Sequence, residues 1–416
     1  MKKQHHTPAP SKFSVFRQLC NLIPTHLVSQ LAQVTGAADK ARTFTPWSHV
    51  VSLLYAQFTH AIGLNDVCDS LRLHSGPLSA IRGAKAPARN TLSNANRERP
   101  AKMAEELFWK TLEHLQNVSP GFAGQQGKRR INRFTRSIHL VDTTVIRLVA
   151  STVDWSRHRC RKAAAKCHVR LDLQSFLPRF LLVTSTYDHD AHRAAEVCAG
   201  IRAGEIVIFD KAYADFAHLF VLDEREVSWV TRSRINLDFR VYRRRLKKPD
   251  DKILRDDEIT LKSFRTHRKY PQRLRRVVAL VEVDGVEREM VFLTNNFKWS
   301  ASTVAELYRR RWYIEVFFKQ IKQSLQLADF LGNSANAVSW QLWTAMLVYV
   351  LLRYNAWLSK WGVSFLRLWT SVRSALWLKL DLVALLKSYG TAGGDFRLLG
   401  RPEQAYLPGF RPDVVG

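Results

Sequence analysis

The chain has 416 residues, too many for one small hydrophobic core, so about two to four domains are expected. Hydrophobic residues make up 46% and charged residues 24%, which is typical of a globular protein and excludes a disordered chain. Sixty-four Lys and Arg against 36 Asp and Glu give a formal charge of +28, which favours a polyanionic partner. The alternatives are an anionic membrane surface and a ribosomal setting, and 12 Trp and 22 Phe indicate sizeable cores, unlike those of a small ribosomal protein. The composition as a whole favours nucleic acid.

The five cysteines are odd in number and form no CxxC pair. Cys160, Cys167 and His168 suggest zinc ligands, but no second ligand pair has the usual spacing, so reduced thiols are expected. The basic N-terminus is followed by no apolar stretch, and no signal peptide is predicted. The apolar segment 342–352 falls short of the ~20 residues that a membrane span needs, so it predicts a buried helix and no membrane partner.

Residues 1–117 are predicted to form a helical domain, in which Gly63 separates two segments of helical apolar spacing. Segment 89–99 predicts a short polar helix of the kind that reads DNA bases. An exposed polar helix without DNA contacts is the alternative, and the basic composition favours the recognition helix. Its candidate DNA-contacting side chains are Arg89, Asn90, Thr91, Ser93, Asn94, Asn96, Arg97 and Arg99. The segment 118–136, rich in Gly and basic residues, predicts a linker.

From residue 137 the apolar period changes to that of strands. Strands are predicted at 138–149, 168–173, 179–186, 205–210 and 227–231, and helices at 190–202 and 213–224. Periodicity alone supports an α/β domain with a mixed sheet, and three strands followed by alternating helices and strands is the element order of an RNase H-like sheet. This catalytic core is predicted to span residues 137–332.

Residues 235–300 interrupt the alternation and predict a β-rich basic insertion. Segment 241–278 holds 14 Lys and Arg against five acidic residues. Strands are expected at 277–283 and 289–294, around the turn Asp284-Gly285. One long helix is predicted at about 302–325. A helical C-terminal region follows at 333–416, with a Gly- and Pro-punctuated tail from Gly390.

Two aspartates belong to apolar strands of the predicted core. Asp142 lies inside the segment HLVDTTVIRL, and Asp210 ends the segment IVIF. A carboxylate in such a place must be paired or bound to metal, because its desolvation is costly. Either one alone could be a helix cap or a salt-bridge partner. Two such aspartates in a basic protein indicate a functional site.

The third candidate acid is Glu315, on the predicted long helix. At 100° per residue, Tyr308, Arg311, Glu315 and Lys322 fall within about a 60° arc of that helix. The alternative is a solvent-exposed face with ordinary i,i+4 charge pairs. That alternative accounts for a Glu among basic residues but does not require the two strand aspartates.

The chain resembles the DDE transposases of bacterial insertion sequences, specifically the insertion-sequence-four group. The resemblance covers about residues 137–332 and lies in the Y-(2)-R-(3)-E-(6)-K signature, which Tyr308, Arg311, Glu315 and Lys322 satisfy. It extends to VDTT around the first aspartate, FDKAY around the second and the segment AKCHVRLDL. One departure is Ala212, where the family commonly has Gly. The helical N-terminal region resembles the end-binding domain that often precedes this core.

The resemblance implies that Asp142, Asp210 and Glu315 are catalytic and bind two divalent metal ions. Mg²⁺ is expected, with Mn²⁺ able to substitute, because hard cations prefer carboxylate and water ligands. Tyr308, Arg311 and Lys322 are expected to bind DNA phosphates beside the scissile bond, as Arg89, Asn94 and Arg97 are expected to bind DNA elsewhere.

The predicted function is therefore cut-and-paste DNA transposition. The implied partners are terminal inverted repeats, target DNA and a second copy of the chain, in the cytoplasm of a bacterium and associated with its nucleoid when bound. Two alternatives stay open. One is a catalytically inactive DNA-binding relative, against which the intact acid triad argues. The other is an RNase H-like nuclease without strand transfer, against which the end-binding helices argue.

Overall fold

The computed structural model describes residues 8–38, 43–124, 134, 136–147, 164–185, 189–234, 236–246, 252–283, 286–324, 332 and 334–389. The chain divides into two compact units. The helical unit contains Met1–Gly124, Ile146–Ala164 and Lys319–Arg401. The sheet unit contains Gln125–Val145, Ala165–Phe318 and Pro402–Gly416.

The helical unit is built around one long apolar helix. Its helices, numbered in chain order, are α1 (Val15–Asn21), α2 (Leu27–Val34), α3 (Pro46–Thr59), α4 (Leu64–Leu73), α5 (Ser75–Ser79), α6 (Arg89–Glu98), α7 (Lys102–Val118), α8 (Pro120–Ala123), α14 (Ala335–Leu358), α15 (Phe365–Ser374) and α16 (Leu382–Ser388). Helix α14 is long and apolar enough to cross a membrane by length and composition alone, yet 78% of its most apolar window is buried inside the protein. A helix that is apolar on every side must be covered all round, and α3, α6 and α7 pack against it.

This packing groups the terminal regions differently from the predicted division. The N-terminal helices were expected to form a domain apart from residues 333–416, but α14 shares one unit with α3, α6 and α7. The cause is the burial of α14, whose apolar surface the earlier helices cover. The predicted linker begins within α7 and α8, and its residues 125–133 and 135, like the tail from residue 390, lie outside the described residues.

Helix α6 divides into an exposed polar face and a buried face. Arg89, Asn94 and Arg97 lie on the exposed face. Asn96, expected as a candidate DNA-contacting residue, is instead buried, and its Oδ1 is 2.8 Å from Nε2 of His49 on α3.

Arg99, also expected as a candidate DNA-contacting residue, instead forms hydrogen bonds within the protein. Its guanidinium donates hydrogen bonds to the carbonyl oxygens of Phe44 and Thr45. Sequence periodicity could not distinguish these two residues from the exposed ones, because their partners lie about 50 residues earlier in the chain.

The described residues of the sheet unit form nine strands in one mixed sheet. They are β1 (Ile138–Arg147), β2 (Ala164–Asp172), β3 (Pro178–Ser185), β4 (Ile206–Phe209), β5 (Ser228–Arg232), β6 (Phe239–Arg244), β7 (Ile253–Leu261), β8 (Leu274–Val283) and β9 (Val286–Thr294). Their order is β3-β2-β1-β4-β5-β9-β8-β7-β6. Strands β1, β4 and β5 are parallel neighbours, and β2 and β3 are antiparallel. The order of the first five strands confirms the predicted RNase H-like α/β fold.

The helices described in this unit are α9 (Asp190–Val197), α10 (Phe216–Glu224), α11 (Phe264–Lys269), α12 (Ala301–Arg309) and α13 (Trp312–Lys319), with a short 3-10 helix at Lys211–Tyr213. A buried apolar cluster joins α9 and α10 to the sheet. Val197 of α9, Leu219 of α10 and Trp229 of β5 share the cluster and are wholly buried. Burial of this kind contributes roughly 1.5–3 kcal/mol for each large apolar side chain.

The predicted basic insertion extends the same sheet. Strand β5 pairs with β9, and β8, β7 and β6 follow as antiparallel neighbours, so these strands are not a separate sheet. The acidic residues of β7 are buried and paired within the insertion. Asp256 accepts two hydrogen bonds of 2.8 Å from the buried Arg275, and Asp257 pairs with Arg276.

The predicted long helix at 302–325 is broken into three pieces. Helix α12 ends at Arg309, α13 begins at Trp312, and a π-helical turn at Gln320–Ser324 follows. Between α12 and α13 the amides of residues 310 and 311 donate to carbonyls three residues earlier, the tighter pattern of a 3-10 turn. A uniform 100° per residue therefore does not hold from residue 308 to residue 322.

The hydrogen bond between His49 and Asn96 allows the structural role of α6 to be tested separately from a DNA-binding role. Asn96→Ala should lower the free energy of unfolding by about 1–3 kcal/mol, because it leaves a buried imidazole without its partner. Asn94→Ala, on the exposed face of the same helix, should change stability by no more than about 0.5 kcal/mol. Thermal unfolding of both variants tests this. An unchanged melting temperature for Asn96→Ala would show that the buried bond contributes nothing.

Candidate active site

The two strand aspartates lie side by side where β4 ends. Strands β1 and β4 are parallel and in register up to the pair Val141 and Phe209, and Asp142 and Asp210 are the next residue on each strand. The carboxyl ends of neighbouring parallel strands meet at one edge of a sheet, which is where α/β proteins commonly bind ligands. The sheet thus brings together two acids that lie 68 residues apart in the sequence.

Arg311 links the first aspartate to the third acid. Its Nη1 donates to Oδ2 of Asp142 at 2.7 Å, and its Nη2 donates to Oε1 of Glu315 at 2.7 Å. Arg311 and Asp142 each keep only 17% of their side-chain surface exposed, and Glu315 keeps 34%. One guanidinium therefore bridges a strand acid and a helix acid in a mostly buried place.

Tyr308 provides the matching contact to the second aspartate. Its hydroxyl donates to Oδ1 of Asp210 at 3.2 Å, and its ring packs against Phe292 of β9. The loop before α12 is fixed by the buried Arg275, which donates to the carbonyl oxygens of Asn296 and Trp299. Each of the three carboxylates thus accepts a hydrogen bond, from Tyr308 on α12 or from Arg311 in the turn after it.

A buried hydrogen-bond network joins the surroundings of the two aspartates. The hydroxyl of Thr143, next to Asp142, contacts Nδ1 of His168 at 3.2 Å and also the hydroxyl of Tyr213. The Tyr213 hydroxyl lies 2.7 Å from His168 Nδ1, and Nε2 of the same imidazole lies 3.0 Å from Oγ1 of Thr184. His168 therefore ties β1, β2, β3 and the turn after β4 together.

Burial and neighbouring negative charge raise the pKa of Asp142 and of Glu315. Burial raises the pKa of Asp142 to about 6. The Arg311 guanidinium and the Thr143 amide oppose this rise, whereas the charges of Asp210 and Glu315 add to it. Burial likewise raises the pKa of Glu315, against the effect of Arg311, and the charge of Asp210 raises it further. The three acids are thus electrostatic neighbours.

The pKa values of Arg311 and Tyr308 are also shifted by burial and by the neighbouring acids. Burial alone would lower the pKa of Arg311, but Asp142, Tyr308 and Glu315 together raise it. Burial raises the pKa of Tyr308 to about 12. At neutral pH the site therefore holds a charged guanidinium, a neutral phenol and carboxylates that repel one another.

The donor set fits hard divalent cations, although it is not a preformed metal site. Three carboxylates against one guanidinium leave two negative charges in a half-buried place, and Mg²⁺ prefers such oxygen ligands. Among the described residues no three His, Cys, Asp or Glu side chains already stand in a position to hold a metal ion. In this structure one oxygen of Asp142 and one oxygen of Glu315 accept hydrogen bonds from Arg311.

The structure brings together five of the predicted site residues, and the other four belong to the helical unit. Asp142, Asp210, Tyr308, Arg311 and Glu315 share the sheet unit and are linked as described. Lys322 lies on the π-helical turn of the helical unit, as Arg89, Asn94 and Arg97 lie on α6, and the DNA contacts expected of these four stay predictions.

Two contributors to the site were not predicted from the sequence. Thr143 and Tyr213 carry the network around the aspartates together with His168. Both residues could have been identified from their positions in the sequence, because Thr143 directly follows Asp142 and Tyr213 comes three residues after Asp210.

Comparison with known proteins defines the class to which this fold and site belong. A family model described as the transposase DDE domain matches residues 133–351, more than half of the chain. The chain therefore belongs to the transposase DDE-domain family. A second model, a domain of unknown function named DUF4372, matches residues 11–81 in the helical unit.

Individual relatives agree with this assignment. The transposase-like protein y4zB of Sinorhizobium fredii is 32% identical over 304 residues, which cover 72% of this chain and 80% of that protein. A protein assigned as the transposase of insertion sequence element IS5377 from Geobacillus stearothermophilus is 25% identical over 343 residues, 80% of this chain and 82% of the relative. A piggyBac transposase synaptic complex with hairpin DNA aligns with a TM-score of 0.43 and 10% identity over 89% of this chain and 83% of that one, a likeness too low to carry an argument.

The raised pKa of Asp142 predicts that this acid costs stability at neutral pH. An acid whose pKa rises from 3.8 to about 6 on folding leaves the folded state with more protons than the unfolded state between those values. The cost is absent below pH of about 4 and complete above about 6, where two pKa units correspond to about 3 kcal/mol. Without metal, Asp142→Asn should therefore raise the melting temperature at pH 7.5 and have little effect at pH 4.

Thermal unfolding in EDTA from pH 4 to pH 8 measures the difference between Asp142→Asn and the wild type. Glu289→Gln, at an exposed position on β9, is the matched loss of an acid and should give a flat difference. A destabilised Asp142→Asn variant at pH 7.5 would mean that the ion pair with Arg311 outweighs the burial of the carboxylate.

Proposed function

We propose that this chain cuts the ends of a mobile DNA element and joins them to target DNA, with Asp142, Asp210 and Glu315 as its catalytic residues. The observation that carries the proposal is the convergence of these acids, from β1, the end of β4 and α13, on Arg311 and Tyr308. Membership of the transposase DDE-domain family supports the same reading. The insertion-sequence-four assignment remains part of the proposal.

Each group at the site has a defined part in this chemistry. Asp142, Asp210 and Glu315 would hold two divalent ions, Mg²⁺ or Mn²⁺, which when bound supply an activated oxygen nucleophile and charge to offset the leaving oxygen. The guanidinium of Arg311 presents a planar fork that fits a phosphate, and the hydroxyl of Tyr308 supplies a further donor. The network around His168 keeps the strand aspartates at a fixed separation, which in-line displacement requires.

The outer strands supply a basic surface suited to the DNA backbone. In the edge strand β6, Arg240, Arg243 and Arg244 are exposed. The next helix, α11, has no buried residue and exposes Arg265 and Arg268. Because the acidic residues of β7 are paired within the insertion, these arginines are left to neutralise phosphates, which releases counterions from DNA.

The exposed face of α6 is proposed to read the terminal inverted repeats. Arg97 donates to Oδ1 of Asn94 at 3.0 Å and pairs with Glu98 at 3.2 Å, both at the surface. Such weak surface pairs are easily exchanged for contacts with bases. Lys322 is proposed to bind phosphate, a homodimer is proposed to hold two ends, and the cytoplasm of a bacterium is the proposed location.

A DNA-binding protein without catalysis is the principal alternative. The observation that favours it is the occupation of Asp142 and Glu315 by Arg311 in this structure. A nuclease that cuts without joining is the second, since the same three acids would serve it. A strand-transfer assay with the inverted repeats that flank the gene separates all three.

The catalytic assignment predicts loss of cleavage without loss of DNA binding. Asp142→Asn, Asp210→Asn and Glu315→Gln should each abolish cleavage of terminal-repeat DNA and keep end binding within a few-fold, because each removes a charge from the site and not from the DNA-binding surfaces. Glu306→Gln is the control, since Glu306 lies on α12 and pairs with Arg310 outside the site. Gel-shift and cleavage assays on the same preparations test this, and full cleavage by any triad variant would overturn the assignment.

The reading of α6 predicts a specific loss of sequence preference. Arg97→Ala should weaken binding to terminal-repeat DNA by about 1–3 kcal/mol and relax the preference over scrambled duplex, if its guanidinium contacts a base. Arg72→Ala on α4, also an exposed arginine in a surface ion pair, is the matched control. Equal affinity of the wild type for both duplexes at the same salt concentration would rule out specific recognition by this helix.

A further inference from the structure

Arg311 occupies a position that a metal ion would need. Its two terminal nitrogens are each 2.7 Å from a carboxylate oxygen, Oδ2 of Asp142 and Oε1 of Glu315. These oxygens belong to two of the three acids assigned to metal binding in the proposed function, on which this inference rests. An oxygen lone pair directed at an N–H group is not available to a cation at the same time.

The two carboxylates hold the guanidinium in place, although not all of its N–H groups are hydrogen-bonded. Its Nε is buried and has no hydrogen-bond partner within the described residues. Its Cζ lies 5.8 Å from the centre of the Tyr308 ring. A buried, unpaired donor has an energetic cost, so the side chain remains there because it balances charges that would otherwise repel.

Charge balance explains why a cation is needed there. Without Arg311, Asp142 and Glu315 would lose the guanidinium that pairs with both of them, and desolvated charges are stable only when paired. A bound divalent cation would satisfy the same requirement. The guanidinium and the cation are therefore alternative occupants of the same oxygens.

We propose that Arg311 is a built-in counter-ion that competes with divalent metal ions for Asp142 and Glu315, and that DNA phosphate removes this competition by drawing the guanidinium away. The planar fork that contacts two carboxylates can contact a phosphate equally well. Metal binding and DNA binding then strengthen each other, since linkage between two ligands is reciprocal. The protein without DNA holds metal weakly.

Metal binding measured without DNA tests the competition directly. Mn²⁺ is titrated into the full-length protein and free Mn²⁺ is followed by electron paramagnetic resonance, with wild type, Arg311→Gln and Arg310→Gln compared. Arg310 is the adjacent arginine and pairs with Glu306 at 2.7 Å, away from the three acids. Arg311→Gln should bind Mn²⁺ about tenfold more tightly, within the range typical of coupled sites. Arg310→Gln should bind like the wild type.

A second variant and a second measurement protect the test against misfolding. Arg311→Lys keeps the positive charge but offers a single ammonium, so its Mn²⁺ affinity should fall between those of the wild type and Arg311→Gln. In EDTA, Arg311→Gln should melt below the wild type, because its carboxylates repel without a counter-ion. Added Mn²⁺ should raise its melting temperature more than that of the wild type.

A DNA arm completes the experiment. With terminal-repeat duplex present, and Asp142→Asn plus the same duplex as the blank for DNA-bound ions, the wild type should gain Mn²⁺ affinity and Arg311→Gln should gain none.

The possible outcomes separate this inference from the proposed function. Equal Mn²⁺ affinity of wild type and Arg311→Gln, abolished in both backgrounds by Asp142→Asn, would overturn the competition and leave the metal site standing. Mn²⁺ binding that Asp142→Asn does not reduce would overturn the metal site itself, and the competition with it.

Discussion

The constraint on which this site depends is the repulsion among three carboxylates held together in a half-buried place. Asp142, Asp210 and Glu315 come from β1, the end of β4 and α13, and the charges of Asp210 and Glu315 raise the pKa of Asp142. A protein can keep such a group only if cations or donors balance it. Here Arg311 and Tyr308 do so, Tyr308 from α12 and Arg311 from the turn between α12 and α13.

The rest of the sheet unit keeps the acids in place. The parallel register of β1 and β4 brings the aspartates together, and the network through His168 joins the residues next to them. The buried pair of Arg275 and Asp256 fixes the loop from which α12 starts. The insertion therefore supports α12, the helix of Tyr308, through its inner strands. Its outer strand β6 and α11 expose arginines.

The helices and strands could be predicted well where the spacing of apolar residues and the chemistry of the side chains indicate the same structure. Strand-end aspartates, the mixed sheet and the acid on the following helix could be predicted because desolvation makes a buried carboxylate conspicuous in an apolar strand. Contacts distant in sequence could not be predicted. Asn96 and Arg99 have the polarity of DNA-reading residues, yet their partners are His49 and the carbonyl oxygens of residues 44 and 45. A single helix from 302 to 325 was expected because no Pro or Gly interrupts it.

The division of the chain into two units could not be predicted from the sequence either, because α14 packs with N-terminal and C-terminal helices in one unit.

The most direct test of the central claim is a crystal structure of the full-length protein with Mn²⁺ and terminal-repeat DNA, examined by anomalous scattering. The account predicts Mn²⁺ held by Asp142, Asp210 and Glu315, with the guanidinium of Arg311 on a DNA phosphate. A structure in which Arg311 still bridges Asp142 and Glu315, and Mn²⁺ lies elsewhere, would contradict it.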